Sequence, residues 1–183
     1  TLPGLPMFGH GQVEGYTEKY GMEYQRAYYN ETPKDWLVDR HQREIFPLMQ
    51  KRYLFSQVDN FWLYDFFDGY GGVNENVFAY TNAHGIERAL VIYNNKYERT
   101  QGRIFQSAPK LVGAEKSLQS KTLAEALNIR SSNHHFYIYR EQRSGLEYVA
   151  SGRSFAFNGF ETELNGFEYR VFIDFREVFD ATG

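Results

Sequence analysis

The first apolar run is short and unbroken: Leu5-Pro6-Met7-Phe8, set between Gly4 and the Gly9-His10-Gly11-Gln12 cluster. Short apolar runs bounded by glycine and proline fit strands covered on both faces, which belong to parallel sheets joined by βαβ connections. A parallel-type strand is therefore expected at Gly4–Phe8. Such a strand needs neighbours, so the chain reads as the tail of something larger. Val13 to Asn30 shows neither a helical nor a strand period, and its density of Tyr16, Tyr20, Tyr24, Tyr28 and Tyr29 predicts a long ordered loop packed against something.

Thr32-Pro33-Lys34-Asp35 offers a helix start, with a hydroxyl for the cap, proline at the first helical position and an acid in the first turn. Leu37, Val38, Ile45, Phe46, Leu48, Met49, Tyr53 and Leu54 then recur at helical spacing, while Asp39, Arg40, Arg43, Glu44, Lys51 and Arg52 largely take the other side. Pro47 interrupts that pattern and predicts either a kink or two helices meeting, the second beginning at Pro47. Phe61–Phe67 is an apolar-aromatic run ending in Asp68-Gly69-Tyr70-Gly71-Gly72, read here as a boundary between modules.

Beyond it the period changes to that of strands. Val77–Thr81 and Arg88–Tyr93 read as a hairpin around Asn82-Ala83-His84-Gly85, and further strands are expected at 103–106, 136–140, 146–150, 154–157, 161–164 and 167–175. In the last, Phe167, Tyr169, Val171, Ile173 and Phe175 are expected on one face. Ser117–Asn128 predicts a short helix or loop, and 95–120 a polar surface excursion. Many short strands with glycine turns indicate an antiparallel sandwich or open barrel.

Composition narrows the function classes. Twenty basic and 23 acidic residues, mixed along the chain, leave no positive field for nucleic acid. No window approaches a membrane-spanning apolar stretch, and no signal peptide is visible. Cysteine is absent, removing disulfides, thiolate nucleophiles and cysteine zinc sites. The histidines at 10, 41, 84, 134 and 135 lack paired ligand spacing, so no metal site is expected. Aromatics make up 18% of the chain. They serve either as strand core or as platforms for sugar rings, with Trp36, Trp62, Tyr93, Tyr97, Tyr137 and Tyr139 the candidates. Tyr137 and Tyr139 share a strand face and are expected inside.

The order of strand, loop, amphipathic helix and all-β module, together with the opening motif, resembles the C-terminal portion of α-amylase-like enzymes, glycoside hydrolase family 13. In that family the eighth barrel strand carries Gly-x-Pro leading to two aromatics and then glycine with an acid or amide; Gly4, Pro6, Gly11 and Gln12 stand at those positions. Gly9 and His10 replace the aromatic pair, and Val13 replaces the usual acid, with Glu14 one place on. The local likeness is strongest over Leu5–Tyr24 and Arg40–Leu48.

The resemblance implies a mainly β fold, an antiparallel β-sandwich of the domain C type, preceded by the last βα unit of a (β/α)8 barrel. Residues 1–70 would hold strand, loop and helix eight, and residues 73–183 domain C. It further implies a parent enzyme acting on α-glucan or malto-oligosaccharide with retention, through two carboxylates about 5–5.5 Å apart. Those groups and a third acid come from strands that would precede Thr1, and no His-Asp dipeptide occurs here. The chain alone is accordingly expected to carry no catalytic residue and to need the N-terminal barrel segment as partner. His10, Gln12 and Glu14 would line the substrate cleft at the barrel's C-terminal face. No cofactor is expected, calcium being possible only in the parent, and the compartment is open, leaning cytoplasmic. Two other readings of the residues stay open: an independent, non-catalytic carbohydrate-binding or structural sandwich, and an acid/base pair drawn from Glu14, Glu18 and Glu23 with Lys19 and Arg26.

Overall fold

The computed structural model describes residues 1–18 and 25–182. No strand forms at Gly4–Phe8. Leu5 and Met7 lie 85% and 81% exposed, because a strand of this kind is held by neighbours on both sides and the described residues supply none.

Three short helices follow: α1 (Asp35–Glu44), α2 (Phe46–Gln50) and α3 (Arg52–Phe55). The helix starts at Asp35 rather than behind a Thr32 cap. Lys34 is extended at φ −86° and ψ 97°, and its N–H is donated 2.9 Å to the Glu14 carbonyl. Pro47 stands in the first turn of α2, where its missing N–H leaves no gap, so two helices meet here, the second opening one residue earlier than expected.

The β elements are β1 (Trp62–Tyr64), β2 (Phe67–Asp68), β3 (Val77–His84), β4 (Glu87–Asn94), β5 (Thr100–Ile104), β6 (Lys110–Val112), β7 (Ser117–Gln119), β8 (His135–Glu141), β9 (Glu147–Ser151), β10 (Phe160–Leu164) and β11 (Tyr169–Phe179). Helix α4 (Leu123–Ala126) lies between β7 and β8, and α5 (Gly152–Asn158) between β9 and β10. A six-stranded antiparallel sheet runs β1-β3-β4-β11-β8-β9, a three-stranded one β10-β5-β2, and β6-β7 is a separate hairpin. The protein is thus mainly β with antiparallel sheets, as a sandwich requires. The sheets take in β1 and β2, ahead of the 73–183 span that the resemblance implies for the sandwich. Asp68–Gly72 is a tight turn, as its residues predict: the Asp68 carboxylate accepts from the N–H groups of Tyr70 and Gly72 at 2.9 and 2.8 Å.

The six-stranded sheet buries both faces. Its inner face joins Ala79, Leu90, Ile92, Tyr137, Tyr139 and Phe172 to Ile104 and Leu164 of the smaller sheet and to Leu123, Leu127 and Phe155 from the α4 and α5 regions. Its outer face packs Tyr80, Ala89, Val91, Val171 and Ile173 against Leu48, Leu54 and Phe55 of the helices. Strand alternation supplies both sets from the same strands. Tyr137 and Tyr139 face inward, as their spacing predicts.

Three local expectations are corrected. Residues 154–157 are helical, not extended: the Ser151 hydroxyl caps α5 at the Ser154 N–H (3.1 Å), and Gly159 at φ +71° ends it. Residues 95–120 are not all surface, since β5 crosses the middle of the smaller sheet and buries Ile104 completely. Finally, Phe175 parts from Tyr169, Val171 and Ile173. The ladder from β11 to β8 slips one residue between Ile173 and Arg176, with Asp174 at φ +57°, and this bulge turns Phe175 onto the inner face. Phe167, at φ +56°, lies ahead of the strand.

Candidate functional site

His10, Gln12 and Glu14 share one turn. The N–H groups of Gly15 and Tyr16 both donate to the Gly11 carbonyl, at 2.7 and 2.9 Å, and the Gln12 N–H reaches Gly9 O at 3.2 Å. Gly11 is required there: at φ +68° a Cβ would fall 2.9 Å from the Tyr16 ring. The Gln12 side-chain oxygen accepts from the Gly9 N–H at 3.0 Å, so it braces its own turn. His10 packs its ring against Tyr16 with centroids 5.8 Å apart, and the Glu14 carbonyl ties the turn to α1 through Lys34. The three residues share this turn, but they do not line either of two cavities in the structure.

The neighbouring carboxylates hold backbone. Glu18 accepts from the N–H groups of Tyr28 and Tyr29 at 2.8 and 3.0 Å, and Glu31 from the Thr17 N–H, the Thr17 hydroxyl and the Glu18 N–H. The Thr17 hydroxyl first, then the two N–H groups, keep the Glu31 carboxyl below the usual carboxylate range, so it stays ionised. Arg26 is exposed, and Lys19 and Glu23 lie outside the described residues. Glu18 thereby staples the loop.

A larger feature escapes sequence reading altogether. Between residues 1–8, helices α2–α3 and the outer sheet face lies an apolar cavity of about 590 Å³, walled by Leu2, Phe8, Leu48, Met49, Leu63, Phe78, Tyr80, Val91 and Tyr93. Its rim is polar. Arg52 donates to the carbonyls of Leu2 (3.0 Å) and Gly4, and Thr1 shares a 2.7 Å hydrogen bond with the Tyr80 hydroxyl.

Two ion clusters clamp the helices to the sheet. Lys51 and Tyr53 both donate to Glu87 of β4 at 2.6 Å, and Lys51 lies 3.6 Å from Asp174 in the bulge. Glu44, at the end of α1, accepts from the Tyr169 hydroxyl of β11 and from Arg40 at 3.1 Å, with Arg143 at 3.8 Å. Burial pushes the Glu44 carboxyl up, but those hydrogen bonds and cations outweigh it and hold it below its ordinary value. Burial first, and then the bond to Glu44, push the Tyr169 phenol up to about 12.

Of the aromatics considered as sugar platforms, Trp62 is buried with Lys110 4.2 Å over its ring, while Trp36 and Tyr97 are largely exposed. The Lys110 ammonium also donates to the carbonyls of Val58, Asp59 and Phe61 at 2.7–2.9 Å, an arrangement that fixes the chain ahead of β1. Among the described residues no three His, Asp or Glu side chains gather as a metal would need, so they offer calcium no acidic cluster. No described helix is long and apolar enough to cross a membrane. Compared with protein-family models, curated proteins and solved structures, the chain matches none.

Proposed function

We propose that this chain is the C-terminal portion of an α-amylase-like, retaining glycoside hydrolase, supplying the last strand and helix of a (β/α)8 barrel followed by a domain C sandwich, and inactive alone. The observation that carries the reading is the uncovered apolar surface at the N-terminal end. Leu5 and Met7 are 85% and 81% exposed, and α1, though amphipathic, buries none of its residues completely, Leu37 and Val38 being half-buried and Trp36 64% exposed. Exposed apolar side chains at this end of the chain suit a surface that a partner segment covers. A barrel segment would cover it, pairing residues 4–8 as a central parallel strand and seating α1 in the outer ring. In that setting the turn bearing His10, Gln12 and Glu14 lies at the barrel face where substrate binds, and the helical clamps join barrel to sandwich. The β module then serves to stabilise the barrel's end, and the reaction belongs to carboxylates on earlier strands.

The test is the coding sequence upstream of Thr1. The expected result is an in-frame series of βα repeats carrying, in order, an Asp, a Glu and a His-Asp dipeptide. A start codon immediately before Thr1, or an open frame without those repeats, overturns the reading.

A further inference from the structure

An open sheet leaves edge strands whose outward N–H and C=O groups can take another strand, and proteins guard them with short length, charge, proline or a covering segment. The two larger sheets have β1, β9, β10 and β2 as their edges, and all but β9 are guarded. The Leu63 carbonyl of β1 accepts from the Ala108 N–H at 2.7 Å, and Tyr64 bridges to Ser107. Beside β2 the returning chain bridges Phe67 to Val73, and the Asp68 N–H donates to the Gly72 carbonyl at 2.8 Å. The edge of β10 is charged: about an axis at Thr162, a copy would set Glu161 against Glu163, and like charges directly opposite repel. In the separate β6–β7 hairpin each strand has only three residues.

The β9 edge has none of these guards. Its five residues lie in unbroken register on β8, without proline, lysine or bulge. Glu141 of β8 exchanges hydrogen bonds with Leu146 and Gly145 across the turn, at 2.9 Å each, so strand alternation turns Tyr139 to Tyr148 and Tyr137 to Ala150. The backbone groups of Glu147 and Val149 and the Ser151 N–H then face away from the sheet, and no described residue takes them. The Ser151 carbonyl is used by α5, which it opens as the cap residue. Beyond it Gly152 is buried, with the Arg130 carbonyl and the Tyr137 ring where a Cβ would stand, so the chain turns inward and carries Phe155 to the core. There α5 closes a groove of about 360 Å³ against β9 and β10 and leaves the flank of β9 uncovered. That flank is apolar. Leu146 is 59% and Val149 65% exposed, and the one acid, Glu147, is paired with Arg176 at 2.6 Å.

The strand is also complementary to itself. About a two-fold axis at Val149, an antiparallel copy sets Val149 against Val149, the two exchanging N–H and carbonyl bonds, and brings the Ser151 N–H to the partner's Glu147 carbonyl. Tyr148 then falls opposite the small Ala150, and Glu147 opposite the Ser151 hydroxyl, so large meets small and no like charges face each other. We propose that β9 is a dimerisation edge, pairing with β9 of a second copy and joining the two six-stranded sheets into one across that axis. The surface belongs to the β module and does not rest on the parent reaction.

Sedimentation of the purified chain up to millimolar concentration, in the L5E/M7E background so that the exposed N-terminal segment does not contribute, tests it. A monomer–dimer equilibrium is expected. V149K sets two ammonium groups together on the axis, and V149P removes the outward N–H without touching the ladder to β8. Each is expected to weaken the dimer at least tenfold with circular dichroism unchanged. An equal mixture of V149K and V149E is expected to restore it, a rescue that loss of fold cannot produce. E161K, on the neighbouring edge, should leave the dimer as it is. A monomer at every concentration, an open-ended assembly, a dimer that V149K and V149P leave intact, or a mixture that stays monomeric overturns the proposal. None of these outcomes bears on the upstream coding sequence, so the two readings fail separately.

Discussion

Gly102 shows how much one position can decide. It is the middle residue of β5, and a Cβ there would fall against the Phe67 carbonyl oxygen and 2.6 Å from the Phe66 ring. Backbone cannot yield as a flexible side chain can, so Gly102→Ala is expected to destabilise by about 1–3 kcal/mol or more, read as a lower urea midpoint at unchanged slope. In sequence, Thr-Gln-Gly-Arg-Ile shows only a glycine in a polar stretch. The close approach of β2 is made by residues more than thirty positions away, and no local pattern records it. Tyr137 and Tyr139 were legible by contrast, because strand alternation alone places them on one face. That the Tyr139 ring packs against Tyr148, Phe160 and Phe175 depends on β9, β10 and β11 meeting around it, and could not be read from the strand.

At the scale of elements, the helical arm is bound to the sheet by charge as well as by apolar packing. Glu44 and Glu87 are both held below their ordinary value, Glu44 against the pull of burial and Glu87 by the hydrogen bonds from Lys51 and Tyr53. A carboxylate whose folded value is depressed contributes stability that is complete above its unfolded value, about 4.3, and is lost as pH falls through the lower folded one. Acid is therefore expected to weaken the clamps below about pH 4.5. Hydrogen exchange of the α1–α3 amides should quicken there before that of β3, β4 and β11. E44Q should flatten this acid limb more than E87Q, since the Glu87 side chain is 36% exposed against 12% for Glu44 and water screens its pairs more. Exchange rising equally in helices and sheet would show that the arm is not a separate unit. The helices and most strands were legible from period and turn residues. The misreading at 154–157 has a clear cause: Phe155 and Phe157 alternate as a strand would, yet the deciding features were the Ser151 cap and the terminal Gly159, which outweigh period over so few residues.

For the whole molecule, the exposed apolar segment has a measurable consequence. With Leu5 and Met7 in solvent, the chain is expected to bind an apolar dye and to self-associate as concentration rises. L5E/M7E should reduce both while leaving the thermal midpoint within a degree or two, because neither side chain belongs to either core. An unchanged dye signal would place the adhesive surface elsewhere, with the apolar cavity beside α2 and α3 as the remaining source. The sequence by itself determined the class of fold, mainly β and antiparallel after an amphipathic helical region, because alternation, helical spacing and turn residues are local properties. The resemblance singled out His10, Gln12 and Glu14, but only the fold gathers them in one turn, through the bonds that Gly15 and Tyr16 donate to Gly11. Only the tertiary structure decided that β1 and β2 join the sheets, that a bulge at Asp174 sends Phe175 to the other face, and that α5 closes a groove between two sheet edges. Those features arise where distant strands share hydrogen bonds and volume, and such sharing leaves no period in the chain.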